Sequence, residues 1–190
     1  FGCVDSASAS FEVLELPSVN LSAFSDVCLN ASPFVLSEGN PGGGTYFGPG
    51  VSGGNFNPGV AGVGVHQLGY ARDSAGCSDT AYRFITVLSL PVVSLGSLAD
   101  VCMNASPFPL SGGLPAGGTY SGAGVSAGIF DPSSAGAGVR TITYTYIGGN
   151  GCSNTGNENI TVLTIPDASI WDFTSAKPFT GCAGLGVYDL

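Results

Sequence analysis

Six cysteines carry the most reactive side chains of this sequence: Cys3, Cys28, Cys77, Cys102, Cys152 and Cys182. No two form a Cys-x-x-Cys pair, so a zinc cage or a thioredoxin-like redox couple has no support. An even number of widely spaced cysteines reads instead as a disulfide framework in an oxidising compartment. A second kind of chemistry is covalent attachment of sugar. Asn20-Leu-Ser, Asn30-Ala-Ser, Asn104-Ala-Ser and Asn159-Ile-Thr all fit the N-x-Ser/Thr acceptor pattern. The same asparagines would also serve as ordinary turn residues.

Other reactive types are sparse. His66 is the only histidine; it is expected to face outward on a strand, with no acid or nucleophile beside it to make a catalytic base. Glu12 and Glu15 fall on opposite faces of one short strand, which argues against a paired-carboxylate glycosidase. Asp26, Asp73 and Asp79 stand in loops without the oxygen density of a calcium site. Gly42-Gly43-Gly44 and Gly117-Gly118 have no following lysine and no helix to hold a phosphate. They read as tight turns before strands at Thr45-Tyr46 and Thr119-Tyr120. Trp171, Phe173 and Phe179 cluster near the C-terminal end; an aromatic platform for carbohydrate is one use and interface packing the other. No enzyme, cofactor or metal reading emerges from these residues.

The elements that must position them come from a tandem repeat. Asp26-Val-Cys-Leu-Asn-Ala-Ser-Pro-Phe34 recurs as Asp100-Val-Cys-Met-Asn-Ala-Ser-Pro-Phe108. Ile85-Thr-Val-Leu-Ser-Leu-Pro91 recurs as Ile160-Thr-Val-Leu-Thr-Ile-Pro166, and a further copy stands at Phe11-Glu-Val-Leu-Glu-Leu-Pro17. Likewise Gly2-Cys3-Val4-Asp5-Ser6-Ala7 matches Gly76-Cys77-Ser78-Asp79-Thr80-Ala81. Thr141-Ile-Thr-Tyr-Thr-Tyr-Ile147 alternates cleanly, with Ile142, Tyr144 and Tyr146 on one face. Short β-branched runs separated by Gly, Pro, Asn and Ser exclude long helices and predict an all-β fold of tandem antiparallel sandwiches. The division expected is a terminal strand at 1–17, repeat one at 18–91, repeat two at 92–166 and a divergent partial unit at 167–190.

A repeat of about 74 residues has a thin core, and a disulfide would compensate. Repeat symmetry pairs Cys28 with Cys77 and Cys102 with Cys152; each bond would be worth about 4 kcal/mol in the chain-entropy model. Cys3 and Cys182 then remain. They sit at opposite ends of the chain and are expected to join successive molecules head to tail. The 4 basic residues against 13 acidic ones give a net charge of −9, which excludes a nucleic-acid or anionic-membrane surface. No apolar run is long enough for a membrane span.

The series Val-Cys-x-Asn-Ala-Ser-Pro-Phe, Leu-Ser-Gly-Gly, Gly-Gly-Thr-Tyr-Ser-Gly, Ile-Thr-Tyr-Thr-Tyr and Gly-Cys-Ser-Asn resembles the tandem Ig-like repeats of large secreted and cell-surface proteins of Bacteroidetes. It covers residues 1–166, with departures at Glu38 and at 65–72. The resemblance implies an extracellular or cell-surface array with structural or adhesive roles and no catalytic residues. It also brings an O-glycosylation pattern, Asp-Ser/Thr followed by a small residue, which fits Ser6, Ser74 and Thr80.

The expected function is a structural subunit of an extracellular filament or stalk, a homopolymer glycosylated on its uncharged surface. Its lone leading strand would complete the partial trailing unit of a neighbouring copy by strand addition. The alternatives are a surface adhesin or glycan-binding module, and a segment of one very long repeat chain.

Overall fold

The computed structural model describes residues 1–165. Two compact units divide it, one ending at Ser89 and one starting at Leu90.

In the first unit the strands are β1 (Asn20–Leu21), β2 (Val27–Cys28), β3 (Phe34–Val35), β4 (Gly39–Asn40), β5 (Thr45–Phe47), β6 (Val51–Ser52), β7 (Asn55–Phe56), β8 (Gly64–Ser74) and β9 (Cys77–Leu88). A four-stranded sheet has the order β2-β9-β8-β5, a three-stranded sheet the order β3-β7-β6, and β1 pairs with β4. The long β8–β9 hairpin is antiparallel, whereas β2 runs parallel to the far end of β9. Period-two alternation decides what is inside. Leu68, Ile85 and Val87 from the large sheet meet Phe56 from the small one and Leu36, which directly follows β3. Each of these side chains is almost fully buried, and each such burial stabilises by roughly 1.5–3 kcal/mol.

The second unit repeats the plan with β10 (Ser94–Leu95), β11 (Val101–Cys102), β12 (Phe108–Pro109), β13 (Gly113–Leu114), β14 (Thr119–Ser121), β15 (Val125–Ser126), β16 (Ile129–Phe130), β17 (Gly138–Ile147) and β18 (Ser153–Leu163). Its large sheet is β11-β18-β17-β14, again with one parallel pair, β11 on β18. Leu95, Leu110, Phe130, Ile142, Tyr144, Ile160 and Val162 form its core. The fold is thus all-β, two Ig-like sandwiches, with the face of the alternating strand at 141–147 as its pattern requires.

Two details depart from the sequence expectations. Each unit carries one helical turn, α1 (Pro58–Ala61) and α2 (Pro132–Ala135). Their causes are local: Asn57 and Asp131 cap the free N–H groups, proline opens the turn, and Gly62 and Gly136 close it at positive φ. A four-residue turn is too short to leave a helical period in the sequence. Among the described residues, 1–17 take no strand partner and are exposed almost throughout. Phe11 and Val13, which align with the buried Ile85 and Val87, are 89% and 80% exposed.

A tyrosine pins the irregular stretch before the edge strand in both units. The buried Tyr70 accepts a hydrogen bond from Gly44 N at 2.7 Å and donates to Pro41 O at 2.6 Å. Tyr144 does the same with Gly118 N and Pro115 O at 2.7 and 2.6 Å. The neighbouring Tyr46 and Tyr120 hydroxyls accept from Gly39 N and Gly113 N. Any side chain at Gly39 or Gly44 would overlap the Tyr70 ring, so glycine is required at both places by close approach. These contacts hold β5 against β8, and with it Phe47 at the end of β5.

Candidate functional site: an aromatic sheet face

Cys28, Cys102 and Cys152 are disulfide-bonded, but not as repeat symmetry implied. Cys77 is a half-buried free thiol while Cys28 is disulfide-bonded, so the Cys28–Cys77 pairing is wrong. The register gives the reason. Cys28 lies opposite Leu88 at the last residue of the 12-residue strand β9, and Cys77 is its first. At about 3.3 Å per residue they stand some 35 Å apart, whereas a disulfide needs Cα atoms within about 7 Å. The same distance excludes Cys102–Cys152: Cys102 lies opposite Leu163, and Cys152 precedes Ser153 at the other end of β18. Both of these cysteines are disulfide-bonded nonetheless. Cys3 is an exposed free thiol, and Cys182, its expected partner, lies outside the described residues.

The acceptor asparagines Asn20, Asn30, Asn104 and Asn159 are all exposed. Asn159 stands mid-strand and accepts from Thr141 Oγ1 at 2.9 Å across the sheet. Ser6 and Ser74 are exposed, Ser74 at the β8–β9 turn. Thr80 is half-buried in β9. The Asp79 that gave it its motif serves the fold, since its carboxylate accepts from Val19 N at 3.2 Å and from Thr80 N at 2.8 Å. In repeat two Asn154 plays that part, donating to Pro91 O at 3.0 Å.

His66 does not face outward. It sits directly opposite the buried Ile85 on the core side of the sheet, half-buried, and its Nε2 lies 2.8 Å from the carbonyl of Gly62 at the end of α1. Arg140, at the same position of repeat two, donates to Gly136 O and Ala137 O. Both satisfy carbonyls left open where a helical turn stops. Asp131 accepts from both the N–H and the hydroxyl of Ser133 and of Ser134. The Ser134 and Ser133 hydroxyls, followed by their backbone N–H groups, hold its carboxyl below the usual aspartate range. Burial raises the Tyr46 phenol, against the lowering effect of the Gly39 hydrogen bond. Among the described residues no cluster of His, Cys, Asp or Glu could hold a metal. Trp171, Phe173 and Phe179 lie outside them.

What sequence reasoning missed is on the outer face of the four-stranded sheet of repeat one. Strand register sets Phe47 on β5 opposite Gly69 on β8, and Gly69 opposite Tyr82 on β9. Phe47 lies over Gly69, which has no side chain to displace it; a Cβ there would overlap the ring. The Phe47 and Tyr82 rings meet edge to face at 6.0 Å and 90°. Two residues on, Phe84 stands opposite Gln67 on the same face. Phe47, Tyr82 and Phe84 are 41%, 48% and 61% exposed, so three aromatic rings look out from one sheet face. Val65 and Thr86 extend it, and no charged residue stands at the register positions between them. Repeat two has Ser121, Thr143, Asn157 and Asn159 where repeat one has Phe47, Gly69, Tyr82 and Phe84. The fold therefore does not need the rings, because its sister repeat is built without them. That contrast between aligned positions is the signal by which the sequence could have disclosed the face.

No protein-family model matches the chain, and no curated protein matches it in sequence. Among solved structures it is similar to the insect immune protein hemolin, at 14% identity and a TM-score of 0.30 over 75% of this chain and 46% of that one. A SusE-like surface-located polysaccharide-binding protein from the heparin utilisation locus of Bacteroides thetaiotaomicron matches at 12% identity and 0.37, covering 79% of this chain and 35% of its own. An endo-fucoidan hydrolase matches at 12% identity and 0.34, covering 77% and 28%. The chain spans less than half the length of each.

Proposed function

We propose that this chain is a binding module of an extracellular or cell-surface Ig-like array, and that repeat one carries its contact face on Phe47, Tyr82 and Phe84. The observation that carries this reading is the trio of exposed rings on a face that repeat two fills with Ser, Thr and Asn. Rings left in water are costly to leave uncovered, and an uncharged aromatic surface beside amide and hydroxyl groups suits the apolar faces and hydroxyls of a sugar ring. With a net charge of −9, the chain as a whole favours a neutral over an acidic polysaccharide. Disulfide-bonded cysteines accord with an oxidising, extracellular setting, and among the described residues no helix is long and apolar enough to cross a membrane. Isothermal titration against neutral polysaccharides tests the reading. Tyr82→Ala and Phe84→Ala should each weaken binding about tenfold or more, as for an aromatic contact residue. Equal affinity of wild type and the double variant would refute it.

A second reading, a head-to-tail homopolymer, is favoured by one different observation: residues 1–17 have the sequence of a last strand but no sheet. In this reading the segment adds to a neighbouring copy, the boundaries at 17, 91 and 166 are domain joints, and glycans on Ser6, Ser74 and the exposed asparagines coat the array. The tandem repeats resemble those of Bacteroidetes surface proteins, and the same source is proposed here. Electron microscopy of purified material, with intact mass for the glycans, tests this: filaments and added sugar mass support it, bare monomers do not.

A further inference from the structure

We infer that Cys77 is a docking point for another repeat of the same kind, held by a disulfide to that repeat's Cys28-type cysteine. Each repeat carries one cysteine at either end of its longest strand. Cys77 and Cys152 lie at the proximal end, where the chain enters the repeat. Asp79, two residues beyond Cys77, holds Val19; Asn154, two beyond Cys152, holds Pro91. Cys28 and Cys102 lie at the distal end, where the chain leaves: Leu29 N and Met103 N donate to Leu88 O and Leu163 O. Since about 35 Å of strand separates the two ends, a repeat cannot close a bond on itself. Both distal cysteines and the proximal Cys152 are disulfide-bonded, yet the proximal Cys77 is not.

A separate observation says what is missing beside Cys77. Residues 3–14 copy β9 from Cys77 to Leu88, and in both described units that strand lies at the centre of the large sheet, with neighbours on both sides. Here the copy has none among the described residues, and its Phe11 and Val13 are 89% and 80% exposed. A sheet that takes residues 3–14 as its central strand would, by the same parallel register, set its own distal cysteine beside Leu14. Leu14 is five residues from Val19, a span of at most about 18 Å, and Val19 is tied to Asp79 at the Cys77 end. The partner is therefore a repeat that lacks its last strand and offers a distal thiol. Joining it oxidises two thiols to one disulfide; the two electrons and two protons pass to a small disulfide oxidant such as oxidised glutathione, which leaves as two thiols. The aromatic face plays no part in this docking.

The test uses the protein as isolated from its source, alkylated under denaturing, non-reducing conditions, digested with pepsin and mapped by mass spectrometry. The expected result is a Cys77 peptide linked to a cysteine in an Asp-Val-Cys-x-Asn context. A linked peptide of that context from outside these 190 residues identifies the partner repeat; one from residues 26–30 or 100–104, whose cysteines are already disulfide-bonded, overturns the inference. Recovery of Cys77 as the alkylated thiol, or linked to Cys3 or to glutathione, overturns the inference.

Discussion

Removing one oxygen atom, in Tyr70→Phe, should cost far more than its size implies. The ring keeps its place, 2% exposed, but two hydrogen bonds go: the one from Gly44 N and the one to Pro41 O. Gly44 is half-buried, so its N–H is left poorly served, at about 1–2 kcal/mol. Pro41 is exposed and its carbonyl can turn to water, so that bond contributes about 1 kcal/mol or less. The sum is about 2–3 kcal/mol. For a domain of this size that lowers the melting temperature by roughly 10–20 °C. Tyr46→Phe is the internal gauge, since its hydroxyl makes a single bond, from Gly39 N at 2.6 Å, and should cost about half as much. The two rings touch at a centroid distance of 4.6 Å, so the double variant should deviate from additivity by about 0.5 kcal/mol or more. Calorimetry and urea unfolding of the full chain supply the numbers. Because the Tyr70 bonds secure the approach to β5, the variant should also loosen Phe47 and weaken any ligand of the aromatic face. A Tyr70→Phe cost below about 0.5 kcal/mol, or one no larger than that of Tyr46→Phe, would refute the idea that these hydroxyls hold the loop.

Gly69→Ala puts a methyl into the Phe47 ring and should destabilise repeat one by about 1–3 kcal/mol while disturbing the aromatic face; Thr143→Ala at the matching position of repeat two should change ligand binding not at all. Asp131 has its carboxyl pKa lowered on folding, so it adds stability above the ordinary aspartate range that is lost as pH falls from about 4 through the lowered value. Asn57 holds the same cap in repeat one, so Asp131→Asn should remove that part of the acid sensitivity, read from melting curves between pH 2 and 6 (roughly the span of carboxylate titration). Reduction should lower the thermal stability, because Cys28, Cys102 and Cys152 lose their bonds, whereas Cys77→Ser should leave the melting of the isolated chain unchanged.

Much of this was legible in the chain itself, wherever the cause is local. The near-verbatim copies at 26–34 and 100–108 disclose the repeat, and alternation at Ile142, Tyr144 and Tyr146 names an inner face, because neighbours on a pleated strand must point opposite ways. The caps Asn57 and Asp131 are equally local in cause, but they escape a sequence reading because the four-residue turns they open show no period. Pairing is another matter. That β2 lies parallel to the far end of β9 depends on how the whole sandwich closes, and this alone moved Cys28 some 35 Å from the partner repeat symmetry had chosen. His66 likewise turned inward once its strand was set opposite Ile85. Phe47 is separated along the chain from Tyr82 and Phe84 by three other strands, β6, β7 and β8, and only the register of β5, β8 and β9 makes one surface of them. Side-chain alternation is written in the sequence of a single strand; which strands lie side by side, and at what offset, is a property of the assembled sheet.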